Sequence, residues 1–257
     1  MTTSQSTQLS GRVALVTGSG RGMGRAHALA LAERGANVVV HDILADEAEE
    51  TGRLVRAAGG RVHVEIADIT DPAAMRAAVA RAGAALGTID ILVNNAGIPA
   101  ERTGLEGVDE AIFARIFAVH VKGTFFTTQA VVPGMKEKGG GKIVNVSSMW
   151  GQTGHSHGAA YCSAKAAILG MTKSWAKEFA PWKITVNAIA PGGVVTEPVL
   201  KKGGMEYVRK AAEAVPLKRY AMPEEIAHAV AFLVSPEAEF TTGQVMALNG
   251  GQVIVGF

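Results

Sequence analysis

Cysteine is almost missing from this chain: Cys162 stands alone among 257 residues. One thiol cannot build an internal disulfide framework or a thiolate metal site, and this usage fits a reducing cytoplasm. Net charge is nearly missing too, at a formal +2 from 25 Lys and Arg against 23 Asp and Glu. So small and scattered a balance argues against nucleic acid or a membrane surface as partner. No apolar run reaches membrane-spanning length. Residues 1–10 are polar and lack the apolar stretch of a signal peptide, so they read as a flexible leader. No internal repeat is visible, and no stretch rich in Pro, Gly or Ser splits the chain. What remains is a single domain over residues 11–257, long enough for a large core.

What the chain does have is glycine in a telling place. Residues 13–16 (Val-Ala-Leu-Val) read as a buried strand. The turn Thr17-Gly18-Ser19-Gly20-Arg21-Gly22-Met23-Gly24 follows, with the spacing T-G-x-x-x-G-x-G. A small-residue helix then runs from Gly22 to a stop at Gly35, and a second strand over 37–40 leads to Asp42. Glycines let the backbone turn tightly and approach a pyrophosphate with no Cβ in the way. A helix that starts at Gly22 aims free N–H groups and its positive dipole end at phosphates. A carboxylate roughly 20 residues past such a turn accepts the ribose hydroxyls of an adenosine. Asp42 would repel a 2′-phosphate, so it argues for NAD over NADP. The alternative is a glycine-rich connection that binds nothing.

The same alternation continues to the end. The pattern predicts helix 45–58, strand 61–66, helix 72–86, strand 89–93, helix 109–138 and strand 142–146. It then predicts loop 151–158, helix 159–180, strand 184–189, a mixed segment 199–215, helix 223–233 and strand 244–248. Asp71 and Pro72 supply an N-cap and a first helical residue. Strands alternating with helices predict an α/β fold, a doubly wound parallel sheet with helices on both faces. In such sheets ligands gather at the carboxyl ends of the strands. The unusual residues of this chain fall there: the glycine turn, Asp42, Asp68, the stretch Asn94-Asn95-Ala96-Gly97, Ser147-Ser148 and Pro191-Gly192-Gly193.

Tyr161 and Lys165 lie four apart on a predicted helix and share one face. A free phenol, with a pKa near ~10, is a poor base at neutral pH, and an ammonium beside it favours the phenolate. Ser148, at a strand end, offers a hydroxyl to a substrate oxygen. An ordinary helix surface pair is the other reading of Tyr161 and Lys165.

At this point the sequence resembles the short-chain dehydrogenase/reductase family, over residues 11–251. The matching motifs are residues 17–24, Asp68, Asn94-Asn95-Ala96-Gly97, Ser148, Tyr161-x-x-x-Lys165, Asn187 and Pro191-Gly192-x-Val194-x-Thr196. The resemblance implies a Rossmann fold binding NAD or NADP. It implies Tyr161 as general acid/base, Ser148 positioning the carbonyl or alcohol, and Lys165 holding the nicotinamide ribose while lowering the Tyr161 pKa. It places Asp68 and Ile69 at the adenine, Asn95, Ala96 and Gly97 along the ribose side, and Val194 and Thr196 at the carboxamide. Gly18, Arg21, Gly22, Met23, Asp42, Ile43, Pro191 and Gly192 complete the expected cofactor set. Family members are usually tetramers or dimers. A homotetramer is expected, pairing through Ile112, Ile116, Ala166, Leu169 and Gly170.

One stretch departs from the family. Where an Asn is usual within N-x-x-G, this chain has His120-Val121-Lys122-Gly123. Either His120 joins a proton relay and titrates near pH ~6.5, or it is a hydrogen-bonded, partly buried residue filling the Asn site. Ile98, Met149, Gly193 and Met205 are expected to line the substrate pocket, with segment 199–215 as a lid. His155 and His157 lack a third partner and suggest a substrate-facing loop, not a metal site. Cys162 reads as a small packed residue. The function expected is an NAD-dependent oxidoreductase acting on a small-molecule secondary alcohol or ketone. One alternative is a 3-oxoacyl-(acyl-carrier-protein) reductase, whose acidic carrier would meet Lys138 and Lys177. The other is a dinucleotide-binding regulator that has lost catalysis.

Overall fold

The apolar runs become strands because residues on both faces of a parallel sheet are buried. The computed structural model describes residues 8–255. In it, β1 (Val13–Thr17), β2 (Asn37–Asp42), β3 (Val62–Ile66), β4 (Ile91–Asn94), β5 (Gly141–Val146), β6 (Ile184–Pro191) and β7 (Val245–Leu248) form one sheet. The strand order is β3-β2-β1-β4-β5-β6-β7, and neighbours pair in parallel. Alternate residues serve opposite faces. Ala14, Val16, Val38 and Val40 meet Ala28 and Leu31 of α1 (Gly22–Ala32) and, together with these, residues of the last α-helix (Pro223–Leu233) such as Ile226 and Val230. Val13, Leu15, Val39 and Leu92 share the other core with Val131, Met135, Trp175 and Phe179. Helices therefore cover both faces, as the sequence pattern predicts.

Three helices follow the first: α2 (Ala45–Ala57), α3 (Pro72–Leu86) and α4 (Glu110–Phe117). The Asp71 carboxylate caps α3 by accepting from the Ala73 and Ala74 amides at 2.8 and 3.1 Å, as expected for an Asp-Pro start. The single helix predicted over 109–138 is not continuous. It comprises α4, a π-turn at Ala118–Lys122, and α5 (Gly123–Lys138). A π-turn inserts a residue without altering the apolar spacing on either side, so periodicity does not reveal it. The predicted loop 151–158 is also partly helical: α6 (Met149–Thr153) starts where Ser148 Oγ accepts from the Trp150 amide at 3.2 Å. Beyond it lie α7 (Ala159–Phe179), α8 (Glu197–Leu200), α9 (Gly204–Ala212) and α10 (Pro223–Leu233).

The expected leader falls largely outside the described residues. Residues 1–7 lie outside the described residues. Leu9, however, is 2% exposed and belongs to the core, and its amide donates to Arg34 O at 2.8 Å. Ile116, expected at a subunit face, is instead buried against Ala160 and Ala164 of α7.

A buried polar chain ties the helices below the site to the sheet. Asn94 Nδ2 donates to Thr128 of α5 at 3.0 Å and to Asn145 Oδ1 of β5 at 2.9 Å, and Asn145 Nδ2 donates to Thr172 of α7 at 2.9 Å. Bonds of this kind, made out of water, fix where α5 and α7 stand relative to the strand ends. No helix among the described residues is long and apolar enough to cross a membrane.

Candidate active site

The strand order reverses between β1 and β4: the chain runs to β2 and β3 on one side, then crosses to β4 and the strands beyond. Loops at the carboxyl ends diverge at such a point and leave a crevice. A cleft of about 1080 Å³ opens there, lined from the glycine turn through Asp42 and Asp68 to His120, Tyr161 and Lys165.

Its first end is built by the turn after β1. Gly18 has φ +62°, and a Cβ there would lie 2.7 Å from Ala96 Cα. A Cβ on Gly24 would lie 2.0 Å from Gly18 O, so neither position admits a side chain. Asn95 binds this turn: its Nδ2 donates to Thr17 O and Gly18 O at 2.9 and 3.0 Å. The α1 N-cap is Arg21, which makes no side-chain cap, and the first turn holds no acidic residue. The leading amides of α1 thus have no side-chain acceptor, and the helix end is suited to an anion. A side chain on Gly22 would project across the cleft toward Thr196, with Cβ 3.7 Å from Thr196 Cγ2. Asp42 is 9% exposed. Its Oδ2 accepts from the Gly20 amide at 2.9 Å and its Oδ1 from the Leu44 amide at 3.1 Å. The carboxylate is fixed in direction and keeps lone pairs for further donors. These features fit the pyrophosphate and the adenosine ribose of a dinucleotide.

Tyr161 stands in the first turn of α7 at the other end of the cleft. That helix has no side-chain cap of its own. Glu101 supplies one from the loop after β4, accepting from the Ala160 and Tyr161 amides at 2.6 and 3.1 Å. The Ser148 hydroxyl hydrogen-bonds the Tyr161 side chain. One helical turn on, Lys165 is 4% exposed, and its Nζ donates to Val146 O at 2.8 Å. Nζ lies 5.6 Å from the centre of the Tyr161 ring. Burial pulls the Lys165 ammonium down to about 7. Burial also pushes the Tyr161 phenol up to about 12, against the opposing Ser148 bond. At Tyr161, desolvation outweighs the opposing effect of Ser148.

His120 comes from the π-turn and is 1% exposed. Its ring meets Tyr161 edge-on, with centroids 5.2 Å apart. Nε2 and Ile98 O are 3.0 Å apart, and Nδ1 has no partner. Burial first, and the nearby Lys165 charge second, hold its pKa down to about 2. The imidazole is neutral throughout the working range. A ring so lowered and bonded to Ile98 fits the second reading, a hydrogen-bonded residue filling the Asn site, better than a relay that titrates near pH ~6.5.

Gly18, Arg21, Gly22, Met23, Asp42, Ile43, Asp68, Ile69, Asn95, Ala96, Gly97, Ile98, Gly192, Val194 and Thr196 all line the cleft. Other expected residues fall elsewhere. Pro191 is buried at the end of β6, paired in register with Leu248. Met149 is 8% exposed and Met205 52%, and neither faces the cleft. Gly193 opens on a separate small pocket, and the Tyr220 ring packs where its Cβ would be. Sequence reasoning also missed Glu101, Arg102, Trp150 and Lys202. The first two follow the Asn94-Asn95-Ala96-Gly97 strand end closely, which was the available signal.

Comparison with known proteins agrees with this geometry. Residues 18–252 match the family model described as enoyl-(acyl carrier protein) reductase. The chain is 38% identical over 247 residues to a 3-oxoacyl-(acyl-carrier-protein) reductase of Thermotoga maritima, covering 96% of this chain and 100% of that protein. It is 38% identical to the cis-4-hydroxycyclohexanecarboxylate dehydrogenase of Sinomonas cyclohexanicum, covering 95% and 97%. A crystal structure described as a candidate gluconate dehydrogenase from Agrobacterium tumefaciens superposes with a TM-score of 0.90 at 31% identity, covering 96% and 98%. The fold and the cleft define an oxidoreductase that uses a nicotinamide dinucleotide. The chain belongs to the short-chain dehydrogenase/reductase family.

Proposed function

We propose that the protein is an NAD(H)-dependent oxidoreductase that interconverts a secondary alcohol and a ketone. The observation that carries this reading is the pairing of Tyr161 and Lys165 in the cleft, with Ser148 next to Tyr161, and a fixed, nearly buried Asp42 lining the same cleft. A bound nicotinamide dinucleotide supplies the acceptor or donor for the hydride. The chain's own residues handle the proton and the geometry. The Tyr161 oxygen takes the proton of the alcohol during oxidation and returns it to the ketone oxygen during reduction. The Ser148 hydroxyl donates to that same substrate oxygen and holds it beside Tyr161. Lys165 sets the charge near Tyr161 and offers its ammonium to the nicotinamide ribose. Gly18, Gly22 and the first amides of α1 hold the pyrophosphate, Asp42 the adenosine ribose, and Val194 and Thr196 the carboxamide side. Neutral His120 ties Ile98 to the π-turn.

Relatives named as dehydrogenases and as reductases support alcohol–ketone chemistry. Nothing in the cleft favours the carrier-protein reading over a small substrate. Of the two lysines considered for a carrier, Lys138 is already paired with Asp90 at 2.5 Å.

Cofactor choice tests Asp42. The protein should use NAD(H) over NADP(H) by at least ~10-fold in kcat/KM, the scale of one unfavourable charge contact of ~1.4 kcal/mol. Asp42→Ala should narrow the gap. Absorbance of the reduced nicotinamide across a panel of alcohols and ketones reads both, and a native preference for NADPH would overturn the assignment.

The active form is a homotetramer, with a dimer as the second possibility. Phe113 on α4 and Phe125 on α5 are 45% and 41% exposed, and Ala166 and Gly170 lie exposed on α7, which supports pairing through these helices. Light scattering at micromolar concentration should give a tetramer mass; a monomer would end this reading.

A further inference from the structure

The charges lining the cleft are not evenly distributed. Its carboxylates, Asp42 and Asp68, belong to the dinucleotide end. Arg102, Arg115 and Lys202 also line the cleft, and Arg102 belongs to the Tyr161 end, since Glu101 just before it accepts from the Tyr161 amide at 3.1 Å. Among the described residues, none of these three meets a carboxylate at ion-pair distance. Two cations lining the same cleft do not lack acids in sequence. Glu101 adjoins Arg102, but its oxygens accept from the α7 amides. Glu197 lies near Lys202 in the chain, but it is held by Lys201 and Arg21 at 2.5 and 3.3 Å.

Arg102 and Lys202 also sense each other. Burial is the larger cause that lowers the Lys202 ammonium, and the Arg102 charge is the next. Tyr207 acts on Lys202 in the opposite sense, and Arg102 and Tyr207 both act on Tyr220. Arg102 and Lys202 thus line the cleft from two segments, the loop after β4 and the α8–α9 link, near enough for their charges to interact. Glu101 fixes the position of the first, since its carboxylate anchors the residue before Arg102 to the Tyr161 end of α7. The wall between these cations and Tyr161 is apolar, from Ile98, Pro99, Ala100, Trp150 and Val199. Like charges without counterions raise the energy of the empty site, and an anion placed between them lowers it.

We propose that the substrate carries a carboxylate remote from the reacting carbon, and that Arg102 and Lys202 read it. The substrate class is a hydroxy acid and its oxo acid, with the carbon frame along the apolar wall and the carboxylate at the two cations. This proposal rests on the reading of Tyr161 as the proton-transferring residue, because that reading fixes which end of the cleft holds substrate.

The test uses a series of oxo carboxylic acids, their neutral methyl esters, and a 3-oxoacyl thioester of 4′-phosphopantetheine, each with NADH. The acids should have KM values about tenfold below those of their esters, the scale of one charge-assisted contact. Arg102→Ala and Lys202→Ala should each raise KM for the acids about tenfold, while kcat and the ester KM stay within about twofold. Arg102→Lys should recover part of the loss, and added salt should weaken the acids selectively. Esters as good as the acids, or variants that weaken both alike, would overturn the proposal. So would a phosphopantetheine thioester that alone responds to the two variants, since the anion read would then be a phosphate. Binding is followed separately, as the rise in melting temperature that acid or ester gives with NADH present. If no compound is turned over, the oxidoreductase reading fails; acid-selective protection lost in Arg102→Ala would still uphold the anion site, and equal protection by the ester would overturn it.

Discussion

Tyr161→Phe is expected to lower kcat by a factor of roughly 10²–10⁴, the usual contribution of a positioned acid or base. KM and dinucleotide binding should change little, because the ring, its edge-on contact with His120 at 5.2 Å and the Glu101 cap of α7 all remain. The physical reason lies in how far the phenol has to be brought. Burial, as its largest cause, holds it at about 12, so bringing it to about 7 takes roughly 7 kcal/mol at ~1.4 kcal/mol per unit. Only charges in a water-poor cleft act on that scale. Lys165 is one source, and burial draws its own pKa to about 7, so its charge is lost as pH rises through neutrality. The kcat/KM profile of the native protein should therefore bend near neutrality, and that of Lys165→Met should lose the bend. Tyr161→Phe retaining more than about a tenth of native kcat would remove this residue from proton transfer.

Acid should unfold the protein earlier than its carboxylates alone require. His27 and His120 are almost fully inaccessible, at 0% and 1% exposure, and burial holds their pKa values down to about 3 and about 2. His41, also buried with both ring nitrogens unpartnered, is lowered too. An unfolded imidazole takes its proton near pH ~6.5. Below that pH the unfolded chain binds more protons than the native one, so stability falls as pH falls. The stability these neutral rings contribute is complete above pH ~6.5 and declines toward their folded pKa values. At pH 5, His27 and His120 together account for a loss of about 4 kcal/mol, against a total native stability of about 5–15 kcal/mol. Urea unfolding midpoints between pH 8 and 5 should be level at first and then drop steeply. His27→Leu should reduce the slope between pH 6.5 and 5 by about one proton. An unchanged slope in that variant would mean that the native protein accommodates a charged His27.

Much of the architecture was legible because it follows from short-range rules. Apolar runs of four to six residues ended by glycine, Asp or Asn read as strands, and helix α10 matches its Pro-led pattern at both ends. The dinucleotide end of the cleft was readable for the same reason, since its glycines and Asp42 adjoin consecutive strands. What escaped notice depends on contacts between distant segments. Glu101 caps a helix some 59 residues further on, and no local pattern announces such a partner. Asn95 looked like a ligand contact, yet its side-chain amide holds the turn after β1. The substrate residues fared worst. Gly193 sits at a strand end but turns toward Tyr220, and Met205 projects from the outer side of α9. The two readings of His120 could not be separated from sequence, because the burial that weighs between them is a property of the folded chain.

The π-turn at Ala118–Lys122 also makes chain length negotiable at one place. A π-turn closes over one residue more than an α-turn spanning the same ends. A chain one residue shorter here winds as a continuous helix, with α4 and α5 still joined end to end. The deletion would carry away no core residue of the sheet. It would rotate His120 off Ile98 and free the loop that Glu101 anchors at its other end. Geometrically, then, the imidazole is in the cleft because the helix holds a surplus residue, and the loop over Tyr161 takes its position from that surplus.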